Sequence, residues 1–177
     1  MKHFEIPTRD QVSEGNQAIF DNLNKNLGFV PNLYAYYAKN DTALADYLTL
    51  QNRKSTLKTK EREVINLVVS QLNGCDYCLA AHTTLAKMNG FSEEQILELR
   101  AGTASFDSKT EALVQFAKAV TLNKGKVPAQ ILEQFFIAGY DEKHLIDVVI
   151  IIGDKTISNY INNLISPAID FPIAPEL

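Results

Sequence analysis

Both cysteines of this 177-residue chain, Cys75 and Cys78, and one of its three histidines, His82, fall within ten residues, 73–82 (Asn-Gly-Cys-Asp-Tyr-Cys-Leu-Ala-Ala-His). A protein core uses cysteine as a small hydrophobe and scatters it. Two thiols separated by two residues, with an imidazole four residues on, have the spacing of a site. If Cys75 opens a helix behind the Asn73-Gly74 turn, Cys78 lies one turn later and His82 one turn after that, so all three share a face. The thiolate is the reactive form, and a free cysteine with a pKa near ~8.5 is mostly protonated at neutral pH. A helix N-terminus contributes roughly half a positive charge and favours the thiolate. His82 can take the Cys78 proton directly or through a water. The partner thiol, one turn away, can condense with a sulfenic acid before over-oxidation. The chemistry this allows is a cycle: a thiolate attacks peroxide, the second cysteine resolves the sulfenic acid, and an outside dithiol resets the pair.

The elements that must hold these residues read as helices throughout. Residues 21–27 continue a stripe of Ile19, Leu23 and Leu27, ended by Gly28 and Pro31. Asp41 can cap a helix carrying Leu44, Tyr47 and Leu48. Residues 60–72 are apolar on nearly all sides, which implies burial, and residues 75–89 form the next helix, closed by Gly90. Ser92 with Gln95, and Ser108 with Glu111, each fit a capping box. Pro128 suits the first turn of a further helix that ends at Gly139, and Asp141 caps a long last one. The longest apolar run, 145–152, is interrupted by Asp147 and is far shorter than the ~20 residues needed to span a bilayer. No stretch alternates long enough for a strand. The expectation is one all-α domain over residues 1–177, with N-terminal helices in 1–56, a CxxC-bearing core in 57–103 and C-terminal helices in 104–177. A faint repeat sets Gly90-Phe91-Ser92 against Gly139-Tyr140-Asp141, which would pair two similar helical halves.

Composition narrows the function classes. The chain is 46% hydrophobic and 21% charged with a net charge of -4, ordinary for a globular domain and without a basic footprint for nucleic acid or an anionic membrane. Its first residues lack the apolar core of an export signal, so a cytoplasmic location is expected. There a permanent disulfide is disfavoured, and a CxxC is redox-active or metal-binding.

The stretch from Glu63 through Asn73-Gly74-Cys75-Asp76-Tyr77-Cys78 to His82 resembles the signature of the alkylhydroperoxidase D-like (AhpD-like) family, within the carboxymuconolactone decarboxylase superfamily. That signature is a Glu, a CxxC beginning twelve residues later, and a His four residues past the second Cys. Weaker similarity extends to Gly28-Phe29-Val30-Pro31-Asn32 and to Asn159-Tyr160-Ile161-Asn162-Asn163 with Pro167 and Asp170, and is greatest to the peroxidase-related branch. The resemblance implies an all-helical AhpD-like subunit in a homotrimer or homohexamer, without metal or cofactor. It implies thiol peroxidase activity with a hydroperoxide substrate, reset by an external dithiol of the dihydrolipoamide type. By the family's roles Cys78 attacks, Cys75 resolves, His82 relays a proton and Glu63 is the remote base. Tyr77 stands where the best-studied branch has a second histidine, which argues against a two-histidine relay. The decarboxylase branch typically lacks the CxxC.

Rival readings attach to the same residues. The cysteines could be buried structural thiols, a redox sensor that switches partners without turnover, a weak disulfide reductase, or zinc ligands with His82. A closed zinc site needs a fourth ligand, and His3 and His144 are the only other histidines. Helical periodicity alone leaves Glu63 solvated beside Asn66, Leu67 and Ser70; were it buried, burial would raise its pKa toward neutrality. Tyr34, Tyr36 and Tyr37 read as packing or subunit interface, His144 as a cap-region or surface residue, and Lys124-Gly125-Lys126 as a loop with no phosphate-binding pattern.

Overall fold

The computed structural model describes residues 4–177, so His3 lies outside the described residues. Among the described residues a 3-10 turn at Arg9–Gln11 leads into nine α-helices: α1 (Glu14–Leu27), α2 (Asn32–Tyr37), α3 (Ala43–Gln51), α4 (Thr59–Leu72), α5 (Asp76–Met88), α6 (Glu93–Ala101), α7 (Ser108–Leu122), α8 (Ala129–Ile137) and α9 (Glu142–Ile165). Among the described residues there is no strand, and no helix is long and apolar enough to cross a membrane. The all-α expectation is met.

The α4 helix is the spine, packed against α5, α6, α7 and α9. Every residue from Glu63 to Ser70 is buried, as the apolar run over 60–72 implied. The main core joins Val64, Leu67 and Val68 to Leu113, Phe116 and Phe135, with the Phe116 and Phe135 rings stacked 4.2 Å apart. A second cluster joins Phe20, Leu33, Tyr37, Leu44 and Tyr47 from the N-terminal helices to Cys75, Tyr77 and Cys78. The two cysteines therefore lie where the N-terminal helices meet the spine.

Helix ends follow local chemistry, with three departures from expectation. Ser92 and Gln95 form the expected capping box, and Asp141 caps α9 with His144 turned back onto it at 2.6 Å. At α3, however, the carboxamide of Asn40, not Asp41, accepts from the Thr42 and Ala43 amides. At α7, Asp107 is the cap and accepts from the Thr110 amide at 2.8 Å, while Glu111 turns instead to the Ala104 amide and Gln115. In both places a neighbouring Asx side chain, one residue earlier, was better placed for the free N–H groups. Along α1 the buried residues are Asn16 and Phe20, and Leu27 at the end of the expected stripe is 52% exposed. In chain order α4, α5 and α6 are followed by α7, α8 and α9, and Gly90 and Gly139, the two glycines aligned by the faint repeat, both end a helix at positive φ, 83° and 89°.

Asp147, the interruption in the apolar run, ties the loop after α3 to α9. Buried at 3% exposure, it accepts from the Thr56 amide and hydroxyl at 2.5 and 2.7 Å, from Ser55 at 3.0 Å and from Arg53 at 2.5 Å. Burial by itself would raise this carboxyl, but the hydrogen bonds outweigh it and hold it well below the usual range. A depressed native pKa means the stabilisation is complete above the ordinary carboxylate pKa and is lost as pH falls through the native one. Asp147→Ala strands these donors and is expected to lower unfolding stability by about 2–4 kcal/mol at neutral pH. Urea denaturation checks this.

Candidate active site

Gly74, at φ 61°, turns the chain sharply out of α4 so that Cys75 becomes the residue that caps α5. Its Sγ accepts the Cys78 amide hydrogen at 3.3 Å, and Cys78 sits one turn into the helix with His82 one turn beyond. Both thiols are free, at 0% and 3% exposure. Three of the four residues singled out by sequence thus share a helix, and the fourth, Glu63, reaches them from α4. Glu63 Oε2 lies 2.8 Å from His82 Nδ1, and its other oxygen accepts from the Asn66 side-chain amide at 3.1 Å.

Glu63 is buried at 6% exposure, against the solvated position its periodicity gave it. Nor does its titration follow the expected direction. Burial is the largest influence and would raise the carboxyl, but the His82 charge and hydrogen bond, Lys155 and Asn66 together bring it below the ordinary value. A carboxylate that stays ionised fixes the imidazole with its proton on Nδ1 and leaves Nε2 to exchange protons. From this position an ionised Glu63 can orient the His82 ring and stabilise charge on it.

Cys78 faces a cavity of ≈ 210 Å³ whose walls are mainly Leu33, Tyr34, Tyr47, Tyr77, His82 and Phe171. Its Sγ also accepts from Asn162 Nδ2 at 3.2 Å. Hydrogen bonding to Cys75 is the largest influence on the Cys78 thiol. Opposed by burial and joined by the charges of Lys155 and His82 and by Asn162, it brings the pKa down to about 6. The same contact with Cys78, then burial, pushes the Cys75 thiol up. Both shifts favour the thiolate on Cys78, the residue that lines the apolar cavity. The imidazole anticipated from sequence contributes, and two residues of α9 add to it.

Sequence reasoning gives Lys155 no part in the site and Asn162 only a place in a weakly matched flank. They belong to a stripe of Lys155, Ser158, Asn159 and Asn162, at most 3% exposed, that continues the face of Val148, Ile151 and Ile152. The available signal is a core-facing register turning polar in its second half, where burial costs free energy unless the groups serve a partner. Asn159 donates to Ser70 and accepts from Asn73 at 3.3 and 3.0 Å, holding α9 to the turn before Cys75. Tyr34 is likewise more than packing: it lines the Cys78 cavity and donates to Gln51 at 2.6 Å, while Tyr37 stacks on Tyr47 and Tyr36 meets Phe4. The two weakly matched flanks converge beside Tyr77. Asp170 accepts from the Asn32 amide at 2.7 Å, Phe171 sits edge-on to Phe29 and Tyr77, and the Tyr77 hydroxyl accepts from Leu33 at 3.4 Å. Burial, then Asp170, pushes the Tyr77 phenol far up, so it cannot act as a second titrating relay. Among the described residues no three His, Cys, Asp or Glu side chains gather as a metal-holding group.

Residues 37–122 match the model of the carboxymuconolactone decarboxylase family. The uncharacterized protein YdfG of Bacillus subtilis (strain 168) is 30% identical over 103 residues, spanning 57% of this chain and 70% of that protein. The chain belongs to the carboxymuconolactone decarboxylase family. Its fold is shared with the alkylhydroperoxidase AhpD core, an uncharacterized peroxidase-related protein from Ralstonia eutropha JMP134 (TM-score 0.86, 19% identity, 95% of this chain and 92% of that one). It is also shared with a variant of the debrominase Bmp8 solved in complex with 2,3,4-tribromopyrrole (TM-score 0.78, 18% identity, 96% and 92%). At these identities the likeness is one of fold.

In this carboxymuconolactone decarboxylase family member the contribution of Lys155 can be measured without knowing the reaction. Lys155→Met keeps the length of the side chain and removes its charge. The Cys78 inflection is expected to move upward from about 6. Alkylation by iodoacetamide at pH 6.5 should slow by roughly threefold or more as the thiolate fraction falls. A pH profile of thiolate absorbance or alkylation rate checks both.

Proposed function

We propose that the chain is a thiol-dependent peroxidase that reduces organic hydroperoxides with Cys78 and Cys75. The observation that carries this reading is the buried Cys78 sulfur, lowered to about 6 and facing an apolar cavity beside His82. His82, its Nδ1 held by the Glu63 carboxylate, takes the Cys78 proton at Nε2. With no direct hydrogen bond between His82 and Cys78, the proton crosses through water or the substrate itself. The thiolate attacks the terminal oxygen of the hydroperoxide; the O–O bond breaks, an S–O bond forms, and the alkoxide leaves as the alcohol with the proton from His82. Cys75 then attacks the sulfenic sulfur, water departs and a disulfide closes. An external dithiol supplies two electrons and resets the pair.

The apolar lining favours an alkyl or aryl peroxide over hydrogen peroxide, and a reducing cytoplasm would keep such a pair cycling. Exposed Ile146, Val149, Ile157, Tyr160 and Leu164 along α9 support assembly with further copies of the chain, as a homotrimer or homohexamer. Sedimentation against concentration tests that assembly; a monomer at every concentration removes it. The activity is tested by following cumene hydroperoxide in the presence of excess dihydrolipoamide. Peroxide consumed far beyond the amount of protein supports the reading. Slow, stoichiometric oxidation accompanied by a change in elution volume identifies a redox switch instead.

A further inference from the structure

One cation in the Cys78 cavity has no acceptor. Lys155, on α9, is 2% exposed and lines the cavity of ≈ 210 Å³ together with Cys78 and His82. Its charge reaches two anionic groups, and both are already bonded elsewhere. Glu63 engages Asn66 with one oxygen and His82 with the other, and Cys78 Sγ accepts from Asn162. Lys155 acts on both through charge, and among the described residues its ammonium makes neither a hydrogen bond nor an ion pair. Neighbouring polar groups are tied to one another: Tyr34 donates to Gln51, which donates to Tyr47 at 3.4 Å, and Ser158 donates to the Lys155 carbonyl at 3.0 Å. An ammonium held at that depth without an acceptor is costly, so the acceptor is to be sought in what enters the cavity. That acceptor is not an acid. Glu63 and the Cys78 thiolate balance Lys155 and a protonated His82, and Asp154, whose charge bears on Tyr34 and Tyr47, leaves no positive charge in excess. The charge in need of a donor is the one the reaction itself moves off sulfur.

We propose that Lys155 is a catalytic residue for the departing oxygen: its Nζ donates a hydrogen bond to the alkoxy oxygen of an uncharged organic hydroperoxide while the Cys78 thiolate attacks the terminal oxygen. This rests on the peroxidase reading above. As the S–O bond forms and the O–O bond breaks, the electron pair of the O–O bond leaves on the alkoxy oxygen. His82 supplies the proton that makes it an alcohol, and Lys155 keeps all three of its own. Negative charge thus passes from sulfur to oxygen within reach of one cation already in place, the arrangement that stabilises a developing oxyanion. A lysine that only stabilised the resting thiolate would make the sulfur easier to ionise but no more nucleophilic once ionised. One that follows the charge onto oxygen speeds the step itself.

Lys155→Met separates these two roles once the thiolate is fully formed. Wild type and variant are each assayed on the plateau of their own alkylation–pH profile with two reagents. Iodoacetamide expels weakly basic iodide and needs no donor; cumene hydroperoxide expels a strongly basic alkoxide. On the plateau, alkylation of the variant is expected within about threefold of wild type, while its reaction with cumene hydroperoxide stays about 10²-fold slower, the size of one lost oxyanion donor. Lys155→Gln, which keeps an N–H donor without the charge, is expected to fall between the two and serves where the Met variant does not fold. Equal loss with both reagents, or a peroxide reaction fully recovered on the plateau, overturns the proposal and leaves the peroxidase reading standing. Wild type that is alkylated readily but does not react with cumene hydroperoxide removes both.

Discussion

Cys78→Ser is expected to bring peroxide reduction down to background, a loss on the order of 10³-fold or more. The substitution changes one atom, so packing in the N-terminal cluster and the hydrogen bond from Asn162 are kept. What is lost is an ionisable sulfur: a hydroxyl in the same place stays protonated, and no arrangement of Lys155, His82 and Asn162 makes it a peroxide nucleophile. Cys75→Ser has a different signature. Cys78 still attacks, but the sulfenic acid has no partner, so one turnover is followed by arrest. The stalled species should be captured by dimedone on Cys78 and detected by mass. Equal residual turnover in the two variants, or dimedone capture on Cys75 in the Cys78→Ser protein, would reverse the assignment of roles.

Glu63→Gln carries the second large effect. The carboxylate lies 2.8 Å from His82 Nδ1 in a buried pair, so its charge acts with little screening. Glutamine keeps the shape and removes the charge that favours the imidazolium formed when His82 takes the Cys78 proton. If its amide nitrogen turns to the ring, it also imposes the wrong tautomer, with the proton on Nε2. The peroxide step is expected to slow by roughly 10²-fold, the size of a lost acid–base contribution. The sign of the pH effect follows from the same pair. A less stable imidazolium returns the proton to Cys78, so the rate inflection moves to higher pH, and part of the loss is recovered in mildly alkaline buffer. A loss that is the same at every pH would mean that Glu63 only holds the helices together.

How much of this is legible in the sequence depends on how local the signal is. The CxxC and His82 are readable because their spacing on one helix is set by the chain itself, and the Asn73-Gly74 turn announces where that helix begins. Glu63 can be placed only by its distance from the CxxC in the family signature. A helix buried on every side has no solvent face, so periodicity carries no information about which polar residue is a partner. Lys155 and Asn162 are hidden by their types, since lysine and asparagine on a helix ordinarily mean surface; their register with Val148 and Ile151 shows otherwise, and for Asn162 so does the weak match of its flank. The caps at Asn40 and Asp107 escape because adjacent polar residues compete for the same free amides, and backbone geometry decides between them. The helical class survives these differences because each moves a boundary by a residue and leaves the core pattern intact.

The mechanism turns on whether the two buried thiols react with peroxide as a pair. Free thiols should be counted on reduced protein before and after one equivalent of cumene hydroperoxide, with the alcohol product measured alongside. Loss of both thiols within seconds, with one alcohol formed per chain, is the expected result. Thiols that stay intact, or that disappear only over hours, would contradict it.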